Sequence, residues 1–325
     1  MKHTVGVVGA SGIGKHHAKW YAMEGCEVAG FVGTSPESVE RTRAAMTRIF
    51  DFRGRAYTDL KQMLAQHRLD AVSVCSPHHL HREHTLACLE AGAHVLCEKP
   101  LVWDTGRSPE GLLADAASMI SAAERAGRIL AVNMQYVAAV EPYLALYDKH
   151  RGPLRAVERL DFRMESKGGA GGPNEYDEIW IDLASHPLSL MLRMLPGAML
   201  VERSASCVIR RQEVVARFEM ELPLSGGRVP VAIELRNVHE GAMARRFGAN
   251  GFIADLAGAN DEHGIYRTHV SAEGDRVQCE DLVHTSVRRF VEAVRGAGQP
   301  LVTAAEAYRN LELQLALFAG ARREQ

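Results

Sequence analysis

The chain has 325 residues, more than one ordinary domain holds and well suited to two. Charged residues make up 24% and apolar ones 46%, the balance of a globular protein, and the formal net charge is -2. That charge gives no reason to expect nucleic acid or an anionic membrane as partner, and no apolar run reaches the roughly 18 residues of a membrane span.

The opening MKHTVGVVGASGIG reads as a strand and a glycine turn, not as a signal peptide. TVGVVGA is a strand and GKHHAKWYAM a helix. CEVAGFVG is a strand, and SPESVERTRAAM a helix with Ser35 as cap and Pro36 in its first turn. YTDLKQMLAQ is helical, DAVSVCS a strand, LHREHTLACLEAG a helix ended by Gly92, and HVLCE a strand. EGLLADAASMISAAERAG and ILAVN add one more helix and strand. Short, continuously apolar strands between helices predict a doubly wound parallel sheet covered on both faces, an α/β domain over residues 1–132.

After about residue 150 the pattern changes. PLRAVERLDFRME, AMLVERSASCVIRR, VVARFEMELPL, VPVAIELRNV and GIYRTHVSAE look like longer strands, several alternating apolar and polar residues. One helix, DEIWIDLASHPLSLMLRML, interrupts them, and two helices at roughly 281–296 and 304–320 follow. The expectation is a C-terminal α+β domain over residues 133–325, with a large, open, mostly antiparallel sheet. KGGAGGPNE, residues 167–175, is glycine-rich. The six cysteines are scattered without a CxxC pair, which predicts reduced, mostly buried thiols and a cytoplasmic protein.

Gly9, Ser11, Gly12, Ile13 and Gly14 lie between the first strand and the first helix. Glycines there let the backbone approach a pyrophosphate at a helix N-terminus, although the second glycine of the usual spacing is displaced from Ser11 to Gly12. A tight strand-to-helix turn is the plainer alternative. An NAD-binding second strand usually ends near an acid that holds the ribose 2′-hydroxyl; here Gly33, Thr34 and Ser35 stand there. The missing carboxylate leans towards NADP over NAD, while Gly33 could equally be just a turn.

With these residues in view the chain resembles the Gfo/Idh/MocA family, whose namesakes are glucose-fructose oxidoreductase and inositol dehydrogenase. His17 follows the glycine loop at the family's spacing. DAVSVCSPHHLHREHTLACLEAGAHVLCEKPL matches its longest signature, with Ser76, Pro77, His81 and the triplet Glu98, Lys99, Pro100. DLASHPLSLML matches its second-domain helix. The resemblance implies cofactor contacts from the glycine loop, from Ser76, Pro77 and His81, and from the triplet. It implies that Lys99 stands beside nicotinamide and substrate. It makes His186 the acid/base, with Asp182 sharing its proton network. Asp182 and His186 are four apart, so a continuous helix places them on one face.

The resemblance therefore implies an NAD(P)-dependent oxidoreductase moving hydride between nicotinamide and a hydroxyl-bearing carbon, or its ketone, on a sugar, cyclitol or related polar small molecule. Two alternatives stay open: an imine or keto reductase on a non-sugar substrate, and a non-catalytic NAD(P)-binding sensor. Departures from the family pattern fall around the substrate. Ser189 replaces a frequent aspartate, residues are inserted before Asp182, and residues 135–140 read QYVAAV where an arginine is expected. Asn133, Tyr136, Asn174, Tyr176 and Trp180 are the residues left to shape the pocket. The clustered histidines of HHLHREH lack a completing ligand, so no metal is expected. Family members commonly pair through the open sheet, which implies a homodimer or homotetramer.

Overall fold

The computed structural model describes residues 2–167 and 175–324, without the side chains of residues 175 and 176. The chain does not divide at one point. One compact unit holds residues 1–135 and 283–308, and the other holds 136–282 and 309–325.

In the first unit the strands are β1 (Thr4–Val8), β2 (Glu27–Val32), β3 (Arg55–Tyr57), β4 (Ala71–Val74), β5 (His94–Glu98) and β6 (Leu130–Asn133). Between them run α1 (Lys15–Met23), α2 (Pro36–Ile49), α3 (Leu60–Gln66), α4 (His81–Glu90) and α5 (Pro109–Ala126). The sheet order is β3-β2-β1-β4-β5-β6, with all pairs parallel. Val7, Val72, Val74 and Val95 are wholly buried, because helices cover both faces and leave no wet side for polar alternation. The chain leaves β1 in opposite directions, towards β2 and towards β4. That reversal opens a crevice beyond the strands' carboxyl ends. β3 is unread in the sequence, since three residues carry no period. Residues 283–308 complete this unit. The Val132 amide donates to Val302 O at 3.2 Å. The His284 ring stacks on Trp20 with centroids 4.4 Å apart.

The second unit begins with α6 (Val140–Arg151), which the sequence reading passed over. Pro142 falls in its first turn, where a missing N–H costs nothing, and Val140, Tyr143, Leu146 and Tyr147 form its buried stripe. Next come β7 (Leu160–Ser166), α7 (Glu175–Leu183), α8 (Ser185–Met194), β8 (Met199–Leu200), β9 (Ser206–Arg210), β10 (Glu213–Glu221) and β11 (Arg228–Asn237). Then follow β12 (Arg245–Ala249), β13 (Phe252–Asn260), β14 (Tyr266–Ala272) and β15 (Asp275–Glu280). The chain closes with α9 (Leu282–Val294), α10 (Ala304–Ala319) and β16 (Arg322–Arg323). Among the described residues the sheet has ten strands, ordered β15-β14-β13-β12-β7-β11-β10-β9-β16, with β8 on β10. Its pairs are antiparallel except β7 with β11 and β9 with β16. Val214, Ala216, Phe218 and Met220 of β10 turn to the core, and the residues between them face outward. Strands β12, β13 and β15 were also unread. RRFGA is too short and GFIADLAGAN too rich in small residues to show alternation.

The sequence predicts one helix over 177–195; the structure has two. Pro187 carries no N–H for the Leu183 carbonyl, and its ring crowds that turn, so α7 stops at Leu183. Gln314 of α10 closes the break. Its amide nitrogen lies 3.2 Å from Trp180 O, its Oε1 accepts from the Ser185 hydroxyl at 3.1 Å, and its carbonyl accepts from Trp180 Nε1 at 3.1 Å. Gln314 is wholly buried, so these groups have no water to turn to. Among the described residues no helix is long and apolar enough to cross a membrane.

Gln314→Leu removes the amide that meets the Ile181 carbonyl at 3.4 Å and the acceptor of the Ser185 hydroxyl at 3.1 Å, while the Trp180 carbonyl keeps the Ala184 amide. We expect a loss of about 2–4 kcal/mol in denaturant unfolding, since each buried unmade bond costs about 1–3 kcal/mol. A loss under about 0.5 kcal/mol, the level of an ordinary surface change, would show that the helix break does not need Gln314.

Candidate active site

The glycine loop is shaped by close approach. Gly9 has φ 83°, and a Cβ there would lie 2.5 Å from Cys75 O at the end of β4. A Cβ on Gly14 would lie 2.6 Å from Gly9 O. Neither position can carry a side chain without moving backbone. Gly12 differs: its Cβ would meet nothing within 4 Å. Ser11, Gly12 and Ile13 are exposed and lead into the N-terminus of α1. This is an open backbone cradle at a strand-to-helix turn, and it fits a dinucleotide's pyrophosphate. At the end of β2, Gly33 is half-buried, Thr34 is exposed, and Ser35 is used as the cap of α2, its Oγ accepting from the Ser38 amide at 3.2 Å. A Cβ on Gly33 would meet Val39 Cγ2 at 2.9 Å.

Ser76 and Pro77 follow β4. The buried ring of His81 lies between two carbonyls, Nε2 2.8 Å from Ser76 O and Nδ1 2.9 Å from Pro100 O. A neutral ring donates to one of them. Burial pushes the His81 pKa down, against the pull of these carbonyls. The Ser76 hydroxyl is 2.9 Å from His84 Nδ1. His81 thus joins the end of β4 to the turn after β5, where the Lys99–Pro100 peptide is cis. Among the described residues no group of three His, Cys, Asp or Glu side chains is placed to hold a metal.

Glu98 ends β5 with its carboxylate buried. Its Oε1 lies 3.1 Å from His17 Nε2 and 2.5 Å from Asn133 Nδ2. On the other side His17 Nδ1 is 3.0 Å from Ser73 Oγ, which is 2.9 Å from the Tyr21 hydroxyl. One directional chain links Tyr21, Ser73, His17 and Glu98. Tyr21 donates to Ser73, Ser73 to His17 Nδ1, and His17 Nε2–H to Glu98. Burial pushes the Glu98 pKa up. His17 and Asn133, with the Lys99 charge, outweigh it and bring it down to about 2. The Lys99 amide donates to Glu98 Oε2 at 3.3 Å, and the Lys99 side chain is half-buried. Asn133 is fully buried, with its Oδ1 unpaired among the described residues.

In the second unit His186 is buried in α8, while Asp182 is exposed in α7, across the break made by Pro187. The Tyr136 ring meets His186 edge-on, with centroids 4.6 Å apart. Burial pushes the Tyr136 hydroxyl up to about 12. Arg245 opposes this, and Tyr266, Asp182 and Asp281 add to it. Ser189 is buried and its hydroxyl donates to His186 O at 2.8 Å. Trp180 is a core residue, wholly buried on Gln314. The Tyr176 side chain and Asn174 lie outside the described residues. Sequence reasoning missed Arg245, Tyr266 and Asp281, which are joined to Tyr136 only by the folding of the sheet.

A six-stranded parallel sheet with a glycine cradle beyond its first strand is a dinucleotide-binding unit. Residues 3–134 match the Gfo/Idh/MocA family model, described as "Oxidoreductase family, NAD-binding Rossmann fold". It is 36% identical over 132 residues to 1,5-anhydro-D-fructose reductase of Ensifer adhaerens, covering 39% of this chain and 35% of that one. It is 30% identical over 145 residues to D-glucoside 3-dehydrogenase of Escherichia coli, covering 45% and 39%. The chain thus spans little more than a third of the length of these curated relatives. In fold it is similar to UDP-N-acetylglucosamine 3-dehydrogenase from Acidithiobacillus ferrooxidans, with a TM-score of 0.70 at 21% identity, over 99% of this chain and 98% of that one.

Glu98 generates a prediction with a definite sign. Its pKa is depressed from 4.5 to about 2 in the folded protein, so its contribution is full above pH 4.5 and lost as pH falls towards 2. Glu98→Gln should lower stability near neutrality by about 3 kcal/mol, and the gap to the parent should close across that acid window. Unfolding curves at a series of pH values read this; a gap constant with pH would mean that the charge contributes nothing.

Proposed function

We propose that the protein is an NAD(P)-dependent oxidoreductase that interconverts a hydroxyl-bearing carbon and its ketone on a sugar, cyclitol or related polar molecule. The observation that carries this reading is Lys99. Half-buried Lys99 follows β5 directly, next in the chain to an ionised Glu98 and to Pro100, whose carbonyl is bound by His81. Ligands of open parallel sheets lie at such strand ends. The names of the relatives, reductases and dehydrogenases of sugars, support the same substrate class.

Bound nicotinamide supplies the hydride acceptor or donor. Gly9, Ser11, Gly12, Ile13 and Gly14 would hold its pyrophosphate, with Ser76, Pro77 and His81 beside it. Gly33, Thr34 and Ser35 set no carboxylate at the end of β2, and Thr34 is exposed, which favours NADP over NAD. In the oxidation direction the substrate hydroxyl loses a proton as hydride leaves its carbon. His186 takes that proton, Lys99 steadies the charge growing on the oxygen, and Asp182 shares the proton network. Six free thiols accord with a reducing, cytoplasmic setting. Self-association as a homodimer or homotetramer through the sheet face opposite the helices belongs to the same reading; a monomeric mass by light scattering would remove it.

The test is nicotinamide absorbance with a panel of sugars, polyols and their keto forms, each with NAD and NADP. Turnover is expected, with the higher kcat/KM for NADP; a clear NAD preference would overturn the reading of Thr34. Lys99→Met should lower kcat by about 10²- to 10⁴-fold while cofactor affinity is kept. Loss of cofactor binding in that variant would make Lys99 structural. Bound cofactor with no turnover of any panel member would favour a sensor.

A further inference from the structure

We propose that Arg245 recognises an anionic group, a carboxylate or a phosphate, on the substrate. This rests on the oxidoreductase reading and narrows its substrate class.

Arg245 opens β12 and pairs in register with Met164 of β7. Its neighbours of the same parity, Phe247 and Ala249, are wholly buried, as is the adjacent Leu235 of β11, which also pairs with Met164. Alternation therefore puts the Arg245 side chain on the sheet's core face. Helix α8, which carries His186, packs on β7 on this face. Arg245 is also the largest opposing charge at the Tyr136 hydroxyl, and the Tyr136 ring touches His186.

The arginines of the opposite face form a contrast. Arg163 pairs with Glu165 at 2.6 Å, Arg236 with Glu213 at 2.6 Å and Arg246 with Asp255 at 2.5 Å. Arg245 is half-buried, and its side-chain contact among the described residues is the Met243 thioether, 3.9 Å from Nη2. A thioether is a weak acceptor and carries no charge. A guanidinium on the core side of a sheet normally has a carboxylate, because partial burial weakens its hydration. The planar donor fork left open here matches two oxygens of a carboxylate or phosphate. An anionic sugar bound beside Tyr136 and His186 would supply the missing charge. The arginine expected after Asn133 is absent from the sequence, and β12 offers one from elsewhere in the fold.

The test compares a neutral hexose with the matched hexuronate, hexose phosphate and nucleoside-diphosphate hexose, in the parent, Arg245→Gln and Arg245→Lys. The parent should favour an anionic member. The glutamine variant should lower kcat/KM for that member, through KM, at least roughly 30-fold more than for the hexose, and the lysine variant should recover part of the loss. Which anionic member is preferred separates carboxylate from phosphate. Preference for the neutral hexose, or equal losses on neutral and anionic sugars, would overturn the proposal. So would weaker NADP binding by Arg245→Gln, which would assign the guanidinium to the cofactor. If no sugar is turned over, the oxidoreductase reading fails first. Calorimetric binding of the same sugars to the NADP-loaded protein then decides Arg245 separately, by the same preference and its loss.

Discussion

The buried carboxylate of Glu98 is the constraint around which the first unit is arranged. An anion withdrawn from water is tolerable only where donors surround it. Those donors come from distant points in the chain: His17 from α1, Asn133 from β6 and the amide of Lys99 itself. His17 is in turn oriented by Ser73 of β4 and Tyr21. Satisfying one charge therefore ties the first helix after the glycine loop to the ends of three strands. The same contacts hold the Lys99 backbone amide, so the helix after the cradle and the backbone that carries Lys99 share one network.

Much of the first unit is legible in the sequence because its signals are local. Val-rich runs, Ser35 with Pro36, and Gly92 mark elements without reference to distant residues. β3 escapes because three residues have no period. In the second unit, a proline in a first turn hid α6, although Tyr143, Leu146 and Tyr147 kept helical spacing. Pro187 in SHPLS marks the break between α7 and α8. The apolar residues on both sides of it nonetheless carry one continuous helical pattern.

The candidate site divides the same way. Gly9, Gly14, Glu98 and Lys99 belong to compact motifs, and the structure gives their neighbours physical reasons. Trp180 and Ser189 stood near the right helix, yet one is spent on Gln314 and the other on a helical carbonyl, and spacing alone does not reveal which way a side chain is used. Arg245 and Tyr266 were out of reach for another reason. Their relation to Tyr136 runs through strands β12 and β14, which are more than a hundred residues away in the chain, and no local pattern announces it.

The return of residues 283–308 to the first unit has a consequence for synthesis. The ribosome releases residues 1–135 early, but the edge beside β6 and the partner of Trp20 are made only after the nine strands β7 to β15. The nascent first unit must wait with Ala131 and Val132 unbridged and an indole uncovered. An unpaired strand edge invites pairing with other chains. The order of translation therefore keeps the nucleotide-binding half, the first to be begun, open until residue 308 of the chain has been made.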